Sequence, residues 1–354
     1  MTKGELLTRT IRKIGILDDK AMSEARTRQD NLTKPAGSLG QLEDISIQIA
    51  GIQGKGRPVI NHKAVIVMAA DHGVVAEGVS AYPQEVTPQM VLKFLNGGAG
   101  INVISKQIGA RIQIVDMGVA ADMPPHPDLL VRKIRNGTAD MVKGPAMTED
   151  EATAALEAGI EIVNAQAKLG LDIVGTGDMG IGNTTASAAI CAVMTGKTPA
   201  EVTGRGTGID DAQLKHKTAI IEKAIKVNQP DPKQPLQVLA KVGGLEIGGL
   251  AGVMLGAGAL RIPVVIDGFI SGAAALIAVG LAPNLKNFMI AGHMSVEPGH
   301  KAMLNHLGLK PLINLGLRLG EGTGAALGIF LCETSTRILS EMATFEEAGV
   351  SEKG

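Results

Sequence analysis

One carboxylate stands alone in a glycine-rich run, Gly316-Leu317-Arg318-Leu319-Gly320-Glu321-Gly322-Thr323-Gly324-Ala325-Ala326-Leu327. Glycines at this density let a backbone turn through positive φ and approach a ligand closely. The alanine-rich residues that follow read as the start of a helix whose first amides can hold an anion. A loop built only to hold phosphate would exclude a carboxylate, because like charges repel. Glu321 therefore reads as a general base beside a bound nucleotide. The competing reading is a glycine-rich connector carrying a solvated glutamate.

Other chemistry-bearing residues are less telling. The seven histidines are scattered, no pair is spaced i,i+4 and the two cysteines are far apart, so a dedicated zinc or iron site is not expected. His72, His293 and His300 fall in loops at or after inferred strand ends and read as structural hydrogen-bonding groups. Cys191 and Cys332 lie in apolar helical runs and read as buried free thiols. Gly196-Lys197-Thr198 resembles the end of a phosphate-binding P-loop, but Cys191 stands where that motif needs glycine. Gly175-x-Gly177-x-x-Gly180 fits a dinucleotide fingerprint in letters, yet Asp178 sits where a pyrophosphate would come close. Asp267, after Val264-Val265-Ile266, lacks the adjacent acids and threonine-rich turn of a magnesium-pyrophosphate loop. No metal and no cofactor are expected.

The elements that must carry these residues follow from hydrophobic spacing. Residues 1–56 read as helical, with Leu39, Leu42, Ile45, Ile49 and Ile52 recurring at helical spacing after Lys34-Pro35-Ala36-Gly37. From residue 60 the pattern changes to short aliphatic runs that end in polar or glycine-rich loops. Residues 64–70 lead into Asp71-His72-Gly73, 112–115 into Asp116, 172–174 into a loop over 175–182, 263–266 into Asp267-Gly268, and 287–291 into Gly292-His293-Met294-Ser295. Such runs, alternating with helices, predict an α/β, Rossmann-like fold: a mostly parallel sheet with helices on both faces and ligands at the carboxyl ends of its strands. Residues 329–348 read as a helix packing back on the N-terminal ones. The expected division is a small helical domain from 1–56 and 330–354 and a large α/β catalytic domain over 57–329.

Composition bounds the partners. The chain has 354 residues, 45% hydrophobic but with 5 Phe, 1 Tyr and no Trp, so the core is aliphatic, and its 46 Gly suit close packing and tight turns. A net charge of −1 from interspersed charges gives no footprint for nucleic acid. The first 22 residues interleave apolar and charged positions, unlike a signal peptide, and the apolar stretch 268–284 is short and broken by Gly and Pro. A cytoplasmic protein that spans no membrane is expected.

Five segments together carry a resemblance. They are Ala70-Asp71-His72-Gly73-Val74; Val79-Ser80-Ala81-Tyr82-Pro83-Gln84-Glu85-Val86-Thr87; Gly177-Asp178-Met179-Gly180-Ile181-Gly182-Asn183-Thr184-Thr185; Gly204-Arg205-Gly206-Thr207-Gly208; and residues 316–327. In this order the chain resembles the nicotinate-nucleotide:dimethylbenzimidazole phosphoribosyltransferase family, from about residues 34–43 to the C-terminal helix. The resemblance implies transfer of phosphoribose from nicotinate mononucleotide to 5,6-dimethylbenzimidazole or a related base. The products are α-ribazole 5′-phosphate and nicotinate, in assembly of the cobalamin lower ligand.

It also implies roles. Glu321 matches the family's general base, and Asp178 stands where the family carries Glu, a second carboxylate near the reacting centre whose shorter side chain changes its reach. Gly177, Met179, Gly180, Ile181, Gly182, Asn183 and Thr184 would bring the backbone to the nucleotide. Gly206 and Lys217 would hold the phosphate, Ser295 and Arg318 would complete the pocket, and Asp267 would lie near the ribose or shape its loop. Tyr82, Gln89 and Met90, in a loop over 79–90, would meet the base. A homodimer is implied. Without the resemblance, Arg318 reads equally as a buried ion-pair partner, Lys217 as a solvated helix residue and Ser295 as a helix cap. A nucleoside hydrolase or phosphorylase, or a non-catalytic nucleotide sensor, are the other functional readings of the same loops.

Overall fold

The computed structural model describes residues 4–206 and 208–351, so Thr207 of the 204–208 segment lies outside the described residues. Among the described residues seven parallel strands form one sheet: β1 (Lys63–Ala70), β2 (Arg111–Gly118), β3 (Leu129–Val131), β4 (Ile173–Met179), β5 (Val264–Ile266), β6 (Met289–His293) and β7 (Pro311–Ile313). Their order across the sheet is β3-β2-β1-β4-β5-β6-β7. The direction of winding reverses between β1 and β4, and an open sheet of this kind takes its ligand in the crevice beyond such a reversal.

Side-chain alternation along β1 shows why the strand is aliphatic throughout. Ala64, Ile66, Met68 and Ala70 enter the core on one face, with the Leu245–Ala259 and Phe269–Leu281 helices. Val65, Val67 and Ala69 enter the core on the other, with the Thr323–Glu341 helix. A strand covered on both faces has no solvent side on which to place a polar residue. The helix Phe269–Leu281 accounts for the apolar stretch at 268–284, and among the described residues no helix is long and apolar enough to cross a membrane. Cys191 and Cys332 are buried in helices, and burial pushes the Cys191 thiol up to about 12.

The chain ends meet. Arg28, on the Asp19–Asn31 helix, donates to the carbonyls of Leu339, Ser340 and Met342 where the Thr323–Glu341 helix ends. Ala25, Ile47, Ala50 and Leu339 share a small core beside it.

Three sequence expectations are corrected. Residues 175–179 are the second half of β4, not a loop. Their glycines serve close packing, since a Cβ on Gly177 would lie 2.3 Å from the carbonyl oxygen of Glu321. Gln89 and Met90 lie in the Val86–Leu95 helix, not in a loop, because Pro88 falls within its first turn, where a missing N–H costs nothing. His300 is also helical, in Pro298–Leu307. The short edge strands β3 and β7 carry no pattern that the sequence made visible.

Candidate active site

At the carboxyl edge of the sheet, β4, β5 and β6 and the loop after β7 deliver their polar residues to one cleft of about 330 Å³. Its floor is the end of β4, the turn after it and the start of the next helix, with Asp178, Met179, Gly180, Ile181, Asn183 and Thr184; its walls include Tyr82, Gly206, Asp267, Ser295 and Arg318. A larger hollow of about 470 Å³ lies between the Gln41–Gln53 helix and the β6–β7 edge. It holds none of the catalytic or binding residues singled out by the sequence, so the smaller cleft is the candidate site.

Glu321 sits beyond Gly320 at the cleft's edge, only 5% exposed, which excludes the solvated connector. Its backbone is left-handed, φ 63°, between Gly320 at 78° and Gly322 at 92°. Three consecutive left-handed residues turn the chain sharply into the Thr323–Glu341 helix. A non-glycine residue in this region costs roughly 1–2 kcal/mol. The turn is held by Asp267, fully buried, whose carboxylate accepts from Gly322 N at 3.3 Å and Ala325 N at 3.0 Å. The helix N-terminus expected to hold a ligand anion thus holds the protein's own aspartate, which shapes the turn and also faces the cleft. His293 Nε2 lies 3.6 Å from the same carboxylate.

Burial raises the pKa of all three acids. Asp178 is pushed well above the usual carboxylate range by burial, then by the charges of Asp267 and Glu246, against a 2.9 Å hydrogen bond from Asn183 Nδ2. Glu321 is raised by burial, opposed by the Ile101 amide and Lys93. Asp267 is raised by burial, opposed by His293 and the amides it accepts.

The opposite end of the cleft is cationic. Lys217, on the Asp211–Asn228 helix, is 1% exposed, so it is not a solvated helix residue. Its Nζ donates to Thr184 Oγ1 at 2.8 Å from behind the cleft floor. Burial lowers its pKa to about 8, with Glu297 opposing the shift. Glu297 accepts from Gly206 N at 3.0 Å, and Arg318 Nη1 donates to Gly206 O at 3.3 Å, so the Gly206 turn is held from both sides. Arg318 is exposed and pairs with this carbonyl, not with a buried acid. Ser295 does not cap a helix: its N–H donates to His300 Nδ1 at 2.9 Å, and burial lowers the His300 pKa to about 3.

A phosphoribosyltransferase family model matches residues 14–350. The chain is 62% identical over 348 residues to the nicotinate-nucleotide--dimethylbenzimidazole phosphoribosyltransferase of Chloroflexus aggregans, covering 98% of this chain and 99% of that protein. The chain belongs to the nicotinate-nucleotide:dimethylbenzimidazole phosphoribosyltransferase family. A relative of the same name from Roseiflexus sp. is 62% identical over 98% of the chain and 99% of its own. The crystal structure of CobT from Thermus thermophilus is similar with a TM-score of 0.91 at 48% identity, covering 94% of this chain and 100% of that one.

In this phosphoribosyltransferase the structure gathers most of the expected residues and leaves a few behind the cleft surface. Gly177 lies under the Glu321 backbone. Gly182, φ 94°, caps the Asn183–Thr195 helix, and a Cβ there would meet Val75. Gln89 and Met90 stand on their helix outside the cleft lining, tied to its floor through Thr87, whose hydroxyl accepts from Ile181 N at 3.1 Å. Sequence reasoning passed over Thr87 although it closes the 79–87 motif, and Glu297 although it follows Ser295 by two residues. It also missed Glu246, whose Oε1 lies 2.7 Å from His72 Nε2 beneath the floor. This pair is separated by 174 positions, and nothing in the local sequence marks it. Burial lowers the His72 pKa, but Glu246 beside it outweighs burial and the net shift is upward. Among the described residues no group of three or more His, Cys, Asp or Glu is placed to hold a metal ion.

Proposed function

We propose that this phosphoribosyltransferase moves phosphoribose from nicotinate mononucleotide to 5,6-dimethylbenzimidazole or a related base, giving α-ribazole 5′-phosphate and nicotinate for the cobalamin lower ligand. The observation that carries the site assignment is Glu321, a buried carboxylate in a left-handed turn at the end of a cleft floored by the end of β4 and the turn after it. Glu321 takes the proton from one nitrogen of the base as the other attacks the anomeric carbon from the face opposite nicotinate. The C–N bond to nicotinate breaks and its electron pair returns to the ring nitrogen. That nitrogen leaves as a neutral pyridine from a pyridinium, so the step needs little acid catalysis.

The remaining roles follow from position. Met179, Gly180, Ile181, Gly182 and Asn183 cradle the nucleotide, with Gly177 giving the turn above it room. Asp178 is the second carboxylate at the reacting centre, oriented by Asn183 and favoured in its neutral form by burial. Gly206, Arg318, Ser295 and Thr184 face the phosphate, and Lys217 supplies charge through Thr184. Asp267 fixes the Glu321 turn. Tyr82 gives the base a flat wall, and Gln89 and Met90 act from the helix behind it.

We further infer a cytoplasmic homodimer with a small helical domain of residues 1–56 and 330–354 beside the large one of 57–329. Leu315 and Leu319, 65% and 60% exposed on the loop after β7, support an interface near the cleft. Arg28 and the core around Leu339 support the joining of the chain ends.

The test is incubation with nicotinate mononucleotide, with and without 5,6-dimethylbenzimidazole, following products by mass. The proposal expects α-ribazole 5′-phosphate only when the base is present. Ribose 5-phosphate formed equally without the base would show a hydrolase, and binding without turnover would show a sensor. Light scattering of the purified protein tests the dimer.

A further inference from the structure

The Glu321 carboxylate does not end in open space. Its Oε2 accepts a hydrogen bond from the backbone N–H of Ile101 at 3.1 Å, 220 positions away in sequence. Ile101 is fully buried at the second position of the Gly100–Ile108 helix. That helix has no side-chain cap of its own on its first amides, because its N-cap residue is Ala99. The residue before Ile101 is Gly100, and a Cβ built there would lie 3.3 Å from Glu321 Oε2 and 2.9 Å from Leu319 Cδ2. The Leu319 side chain is exposed and can move aside. Glu321 is held by its turn and by the amide, so it would have to give by a few tenths of an ångström.

We propose that Gly100 and Ile101 are the positioning residues of the general base, the Ile101 amide holding one carboxylate oxygen and the bare Cα of Gly100 giving that oxygen its room. The proposal rests on the reading of Glu321 as base. The left-handed turn fixes where the side chain starts, and the Ile101 amide fixes where it ends. A carboxylate pinned through one oxygen presents the other in a single orientation, without the rotamer search an unpinned glutamate makes. The same amide stabilises the ionised form, which is the form a base needs. Other charged groups facing Glu321 are Lys93 on the Val86–Leu95 helix, which favours ionisation, and Asp267 after β5, which opposes it. Asp178 near the end of β4 is a further carboxyl group, and the charge of Glu321 raises its pKa.

Gly100→Ala tests it in the full chain. A shift of a few tenths of an ångström is expected to lower kcat by roughly tenfold, since a misplacement of about 1 Å costs on the order of a hundredfold. The KM for nicotinate mononucleotide should stay within about twofold, and the acid limb of the kcat profile should move to higher pH as the amide contact weakens. In a Glu321→Gln background the same change should cost nothing further, because its effect runs through the carboxylate. An undiminished kcat in Gly100→Ala, or an equal fractional loss in both backgrounds, overturns the proposal.

A second measurement does not depend on that variant folding. The Ile101 amide proton in the wild-type protein, followed by NMR, should titrate with the midpoint of the acid limb of kcat/KM, which reports the free enzyme, and the titration should vanish in Glu321→Gln. An Ile101 proton indifferent to pH and to the substitution sinks the proposal. Failure of the underlying reading looks different: Glu321→Gln would turn over like wild type, while the Ile101 proton titrated in the wild-type protein and not in the variant.

Discussion

The two ends of the cleft solve opposite problems by the same physical means. At one end Glu321, Asp178 and Asp267 are carboxyl groups shielded from water and pushed toward their neutral forms. At the other, Lys217 is a cation shielded from water and pushed toward neutrality, its pKa near 8. They differ in what holds each group. Glu321 and Asp267 are held by main-chain amides from helix starts, so their geometry is set by backbone path. Lys217 is held chiefly by a side-chain hydroxyl, and the turn in front of it is braced by Glu297 and Arg318. On the roles proposed above, chemistry that needs one fixed proton acceptor would draw on backbone, and recognition of a phosphate, which accepts hydrogen bonds from many directions, would draw on side chains bracing a turn.

That contrast is broken most directly at Glu321. Glu321→Gln should lower turnover by about a hundredfold or more, the scale of losing a placed base, while leaving nicotinate mononucleotide binding nearly intact. Calorimetric titration beside steady-state kinetics separates the two, and wild-type turnover would remove Glu321 from the chemistry. Next in size, Lys217→Ala should raise the KM for nicotinate mononucleotide by roughly tenfold, as expected for a charge-assisted contact, and leave that for the base alone. Nicotinate riboside, lacking the phosphate, should be indifferent to the change. Equal losses for both donors would make Lys217 a structural residue.

The shifted pKa values sharpen the comparison through stability, with opposite signs at the two ends. The folded state holds Lys217 near 8 against an ordinary 10.5, so between these values it binds fewer protons than the unfolded chain. This group makes stability rise with pH across that window. For Asp178, whose pKa is raised, the folded state binds more protons than the unfolded chain above an ordinary value of 3.8, so this group makes stability fall as pH rises through its folded pKa. Denaturant midpoints from about pH 4 to about pH 10 should therefore lose their alkaline rise in Lys217→Met and flatten on the acid side in Asp178→Asn. Unchanged slopes in both variants would show that neither group titrates differently on folding. The smallest effect is expected at Tyr82, which is 54% exposed on the wall. Tyr82→Ser should change the product ratio between 5,6-dimethylbenzimidazole and adenine by a few fold, the scale of one aromatic contact, without altering the donor's KM.

How much of this was legible follows from which interactions are local. The aliphatic runs announced the central strands because burial on both faces leaves nowhere for polar residues. Glu321 stood out because a carboxylate among glycines has few bland explanations. Gly175 and Gly177 misled, since a strand glycine that admits a neighbouring helix or turn has the same letters as a turn glycine. The burial of Lys217 was hidden because the 211–228 helix is charged along much of its length, and only the tertiary fold decides which charge turns inward. Asp267 on Gly322 and Glu297 on Gly206 join positions 55 and 91 apart, beyond any local pattern. The resemblance named these neighbourhoods without giving the contacts that make them work.

The left-handed turn at Glu321 has a further consequence for how this chain tolerates change. Glycine or asparagine would sit at φ 63° with less strain than glutamate, and neither would leave a carboxylate out of water. Variants screened for heat resistance alone would thus drift away from glutamate at this position, and each gain in melting temperature there would be a loss of turnover. A library sorted by both traits should find position 321 among the sites where the two rankings disagree most.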